Sequence, residues 1–64
     1  MALSDNIRKI ANEKNMSMYR IAKNGELSMS YVWEIANGKR ENPSINVLKK
    51  IAKALNTTVD ELIN

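Results

Sequence analysis

Cysteine and histidine are both absent from these 64 residues. Without thiols there is no disulfide framework and no thiolate metal site. Without imidazoles a zinc centre or a histidine-based catalytic constellation is excluded as well. A chain free of disulfides fits a reducing interior, and the expected location is the cytoplasm. Long apolar runs are also missing: the longest are triplets such as Tyr31-Val32-Trp33, too short to span a membrane. Ser4-Asp5-Asn6 interrupts any signal-peptide core. Glycine occurs only at Gly25 and Gly38, so no glycine loop can cradle a phosphate. The carboxylates are scattered and no nucleophile–base pair stands out. The expectation is therefore a non-enzyme, with no catalytic residue, cofactor or metal.

What is present fits one small domain over residues 1–64, near the size at which a single core barely suffices. Ten Lys and Arg against seven Asp and Glu leave a net charge of +3. That balance suits a polyanionic partner but is modest, so the placement of the charges matters more than their sum.

The organising stretch runs from Ser17 to Gly38. Ser17 is an N-cap candidate ahead of Ile21-Ala22, and Ser28 is another ahead of Val32 and Ile35. The second pattern stops at Asn37-Gly38. Between them, Asn24-Gly25-Glu26-Leu27 supplies a turn and then an apolar plug. Two short helices around a tight turn have the dimensions of a helix-turn-helix. Ala22 is small where two crossing helices come closest, and Leu27, Val32 and Ile35 are placed to fill the angle between them.

The flanking segments read as helices too. Ser4 is expected to cap a first helix with Ile7, Ile10 and Ala11 inward, stopped by a left-handed Asn15, with Met16 beneath the junction. A polar connection, Lys39 to Pro43, leads to Ser44, the cap of a helix carrying Ile45, Leu48, Ile51, Ala52 and Leu55. Asn56 is its expected stop. Thr58 and Glu61 have capping-box form and open a last short helix that buries Val59 and Leu62. This makes five helices and no strand. The pair Ile-Ala recurs at 10–11, 21–22, 35–36 and 51–52, at unequal spacings. That is one packing solution used several times, not an internal repeat.

With Ala22, Leu27, Val32 and Ile35 in register, the chain resembles the lambdoid-repressor and Cro type of helix-turn-helix domain, the Xre-like family. The resemblance spans roughly Ile7 to Ile63 and includes Ser17, Asn37-Gly38-Lys39, Asn42-Pro43-Ser44, Lys50 to Leu55 and Asp60-Glu61-Leu62. It implies an all-α, five-helix, lambda-repressor-like fold. It also implies a sequence-specific regulator of transcription that binds double-stranded DNA, more in the manner of a repressor that occupies an operator. One small module buries little surface on DNA, so two copies on a near-palindromic operator are expected. Exposed apolar residues late in the chain, around Leu55, Val59 and Ile63, are the candidate dimer contacts. The alternative is a protein-interaction module of the same fold that has lost DNA binding and docks through Tyr31, Trp33 and Met29.

With Val32 and Ile35 inward, Met29, Ser30 and Glu34 project from the opposite side, at positions that include the family's principal base contacts. Glu34 suits a cytosine amino group, Ser30 several bases, and Met29 a thymine methyl. Ser17 and Ser28, at helix N-termini, suit phosphates, as does the hydroxyl of Tyr31. The resemblance adds Asn37, Lys39 and Arg40 as backbone contacts. The bland reading of all of these is a solvated helix face and a polar loop. For Lys49, Lys50 and Lys53, near the end of their helix, the bland reading is preferred. Trp33 stands where relatives are small or polar, and nothing in the sequence fixes its role.

Two departures from the family pattern stand out. Glu26 replaces a common glycine, with Gly25 one place early, so either the helix ends sooner or Glu26 takes a positive φ. Met18 replaces a frequent glutamine and cannot supply its hydrogen bonds.

Overall fold

The computed structural model describes residues 3–40 and 42–64. It contains α1 (Leu3–Glu13), α2 (Met18–Gly25), α3 (Met29–Ala36), α4 (Ile45–Ala54) and α5 (Val59–Ile63), with no strand among the described residues. The expected order of elements is observed.

Three serines and a threonine start the later helices as expected. Ser17, Ser28, Ser44 and Thr58 each have extended backbone, and each side-chain oxygen accepts from the amide three residues on. That satisfies a donor which would otherwise lack a partner in the first turn. Ser4 is different. Helix α1 is already formed at Leu3, which is buried, so Ser4 lies inside the helix and cannot cap it.

The helix ends follow one rule. Asn15, Glu26, Gly38 and Asn56 all have positive φ, between 55° and 76°. After each, an amide reaches back five residues: Met16 to the Ala11 carbonyl, Leu27 to Ala22, Lys39 to Glu34 and Thr57 to Ala52, at 2.7–2.9 Å. These are Schellman closures. In three of them the accepting carbonyl belongs to the alanine of an Ile-Ala pair. The recurring dipeptide therefore holds a fixed register to its helix end, while Ile35-Ala36 is shifted by two residues. Asn15 and Asn56 stop their helices as their side-chain chemistry leads one to expect.

Glu26, not an early helix end, resolves the irregular turn: its backbone is left-handed, φ 57° and ψ 44°. Gly25 is needed for another reason. A Cβ there would meet the Lys50 carbonyl oxygen at 3.2 Å and Ala54 Cβ at 3.6 Å, because α4 crosses α2 closely at this point. The absent side chain serves a helix crossing, and the positive φ falls on the next residue.

Helix α2 packs on α3 and α4, α1 on α3 and α5, and α4 on α5. Ile7, Ile21, Val32, Ile35, Ile51, Leu55 and Leu62 are all at most 1% exposed, so every helix delivers at least one fully buried side chain to one core. Met16, Leu27 and Val59 pack against its edge. Leu55 thus belongs to the core and cannot be a dimer contact, since the left-handed stop at Asn56 follows a last turn aimed inward. Two side chains tie the ends together: Asn6 Nδ2 donates to the Leu62 carbonyl and Lys14 Nζ to that of Asn56, both at 2.8 Å.

Two predictions follow from the turn. Glu26→Gly should stabilise the fold by up to about 1 kcal/mol, the left-handed penalty being partly offset by a freer unfolded chain. Gly25→Val should destabilise it by about 1–3 kcal/mol through overpacking against α4. Urea unfolding midpoints at unchanged slope measure both; a neutral Gly25→Val would mean that the crossing is looser than described.

A third concerns acid. The Thr57 hydroxyl, then the Thr58 backbone amide, donate to Glu61 and hold its carboxyl below the ordinary range. A lowered folded-state value means that the folded chain binds fewer protons than the unfolded one. The resulting stability is complete above the unfolded value of about 4.3 and is lost as pH falls through the folded value. Melting temperature should therefore drop on acidification, and Glu61→Gln should remove part of that drop. Identical acid profiles for the two proteins would count against the contact.

Candidate nucleic-acid interface

Helix α3 is held from one side only. Val32 and Ile35 are 1% exposed and Ala36 is fully buried, against α1 and α2. The helical period then turns Ser30 and Glu34 to the far side, one turn apart. Ser30 and Met29 are exposed, and Glu34 is partly so. With Trp33 these three line one shallow, open depression. The three side chains expected to meet bases thus share one surface.

The residues expected to face the backbone divide into groups. Ser28 is exposed at the start of α3, its oxygen accepting from the Tyr31 amide at 3.1 Å. Ser17 does the same for Arg20 at the start of α2, also at 3.1 Å. Each hydroxyl keeps its own hydrogen for an outside acceptor. Lys39 is exposed. Asn37 is exposed too, but its side-chain amide donates to the Trp33 carbonyl at 2.9 Å and so closes its own helix.

Arg40 is engaged within the protein. Its Nε donates to Glu34 Oε1 at 2.7 Å, and its guanidinium lies 4.9 Å from the centre of the Tyr31 ring. The hydrogen bond to the Glu34 carboxylate, and then its charge, raise the Arg40 pKa above an already high ordinary value. Backbone fixes the same connection, since the amides of Lys39 and Arg40 both donate to the Glu34 carbonyl. In the sequence Glu34 and Arg40 stand as independent contacts, one for a base and one for a phosphate. The structure couples them, through a six-residue separation that no helical periodicity would flag.

Another grouping escapes the sequence reading. From Ser17 onward, the exposed side chains of Tyr19, Arg20, Lys23 and Asn24 form a shallow rim along α2. Its two cations stand three residues apart on the wet side of α2, a spacing that could have been read as one cationic edge. Glu26 and Met18 bring no hydrogen bond between the motif helices; Met18 packs against the core edge instead.

Among the described residues, no group of His, Cys, Asp and Glu could hold a metal ion, and no helix is long and apolar enough to cross a membrane.

The family model of the Cro/C1-type HTH DNA-binding domain matches residues 6–64. No curated protein matches the chain. Among solved structures, the restriction-modification controller protein C.AhdI from Aeromonas hydrophila is similar, at 30% identity over 95% of this chain and 91% of that one, with a TM-score of 0.89. The N-terminal DNA-binding domain of SinR from Bacillus subtilis is similar at 27% identity, covering 97% of this chain and 90% of that one, again with a TM-score of 0.89. The match over nearly all of the chain, on a fold built around the α2–α3 pair, places this protein in the Cro/C1-type helix-turn-helix DNA-binding family.

Proposed function

We propose that this chain is a sequence-specific transcriptional regulator, a repressor that works by occupying an operator in double-stranded DNA. Helix α3 enters the major groove with its N-terminal half foremost. Met29, Ser30 and Glu34 meet base edges, while Ser17, Ser28, Tyr31, Asn37, Lys39 and Arg40 meet the sugar-phosphate backbone. The observation that carries this reading is the division of α3, with Val32 and Ile35 buried and Ser30 and Glu34 on the open side. The relatives named above, a controller protein and a DNA-binding domain, support it.

The protein acts as a homodimer on a near-palindromic site, since one module of this size covers too little DNA for useful affinity. With Leu55 in the core, Val59 and Ile63 remain as the late apolar contacts, Ile63 being 37% exposed.

Glu34 is the apparent obstacle, because a bare carboxylate is repelled by phosphates. Arg40 removes the obstacle by neutralising it, leaving Oε2 to accept from a cytosine amino group. Arg40 is exposed and Glu34 partly so, and the solvent-screened pair adds little to folding stability. Its effect is on DNA.

Gel-shift titration at several salt concentrations tests the reading. For about six to eight phosphate contacts in a dimer, log affinity should fall with a slope of about −5 to −7 against log salt. A flat response would favour a protein-docking module, the reading to which the exposed Met29 and Trp33 otherwise lend themselves. Lys39→Ala should weaken all sequences about equally and lower that slope, whereas Ser30→Ala and Glu34→Ala should each alter discrimination at one base pair by about 1–3 kcal/mol.

Coupling supplies a further test. Arg40→Ala should weaken binding more in the parent than in a Glu34→Ala background, because only the parent is left with an unpaired carboxylate. Equal losses in the two backgrounds would show that the pair does not persist on DNA.

A further inference from the structure

Trp33 has no part in the scheme above, yet it is placed beside it. Among the described residues five large apolar side chains are exposed: Tyr19 on α2, Ile45 on α4, Ile63 on α5, and both Met29 and Trp33 on α3. Isolated exposed apolar residues are ordinary. Two on one helix, one turn apart and 52% and 48% exposed, form a row. That row runs alongside the polar row Ser30–Glu34, and all four side chains line the same open depression.

We infer that Trp33, together with Met29, is a specificity-determining wall that receives the C5 methyl group of thymine in the major groove. The inference rests on the DNA reading and sharpens it. A thymine edge presents an acceptor, O4, next to a methyl group. A hydroxyl row beside an apolar row has matching chemistry: Ser30 donates to O4 while Met29 and Trp33 take the methyl out of water. The indole also brings a large contact area with few rotatable bonds, so little side-chain freedom is lost on binding. Continuity with Ser30 and Glu34 is what favours DNA over a protein as the occupant of this surface.

The test uses a DNA site selected by this protein from a random pool, with its thymines replaced one at a time by deoxyuridine, which lacks only the methyl. The parent protein should lose about fourfold in affinity at one or two positions, the equivalent of burying one methyl group. Trp33→Ala should bind thymine and uracil about equally at those positions, and a cooperative melting transition above the assay temperature shows that the variant is folded, since about half of the indole is buried. A parent protein indifferent to every replacement would overturn the inference, and would do so even if the variant bound too weakly to measure. So would a Trp33→Ala protein with undiminished methyl sensitivity, which would assign the methyl to Met29 alone. A pool from which no sequence is enriched would instead remove the DNA reading, and this inference with it.

Discussion

The burial of one side of α3 is the constraint on which the molecule depends. Val32, Ile35 and Ala36 fix how the helix is rotated about its own axis, because turning it would expose them and bury Ser30 and Glu34. Each large apolar side chain moved from core to water costs about 1.5–3 kcal/mol, a sizeable share of what so small a domain can have. The rotation is therefore set by packing. The surface presented this way is a by-product of a core.

The remaining helices supply that seat. Helix α2 meets α3 across the turn at Glu26 and meets α4 at Gly25, where the α4 backbone comes too close for a side chain. Four left-handed closures set where helices stop and so where the next one starts. At each of the four a late helical carbonyl finds an amide, and every helix turns at least one apolar side chain into the common interior.

Much of this was legible in the residues themselves. Cap residues carry their conformation locally, so Ser17, Ser28, Ser44 and Thr58 marked helix starts, and Asn15 and Asn56 marked ends. Apolar spacing likewise fixed the inward face of α3. Features that depend on a distant partner were not legible. Gly25 answers to Lys50, half a chain away, and its position beside Glu26 left two turn geometries open. The place of Leu55 near the end of the chain suggests a late surface contact, although its spacing from Leu48, Ile51 and Ala52 already puts it on the inward row of α4. Ser4 met every local criterion for a cap, yet Leu3 already continues the helix inward. In the candidate site, side-chain identities were readable, but the pairing of Glu34 with Arg40, whose guanidinium also lies over the Tyr31 ring, depends on how the chain folds back after Gly38.

In the proposed function the open side of α3 is the one that enters the groove of DNA. Glu34 is offset by Arg40, Lys39 is exposed at the helix end, and the cations of α2 stand in the group around Ser17. The central claim is that this single side, and no other, meets the duplex. Amide chemical-shift mapping during titration with a selected DNA site tests it most directly. The account predicts that the largest changes fall on residues 28 to 40 and at the start of α2 around Ser17, with α5 little moved except where two copies meet. Changes centred on α4, or on the side of α1 away from α3, would contradict it.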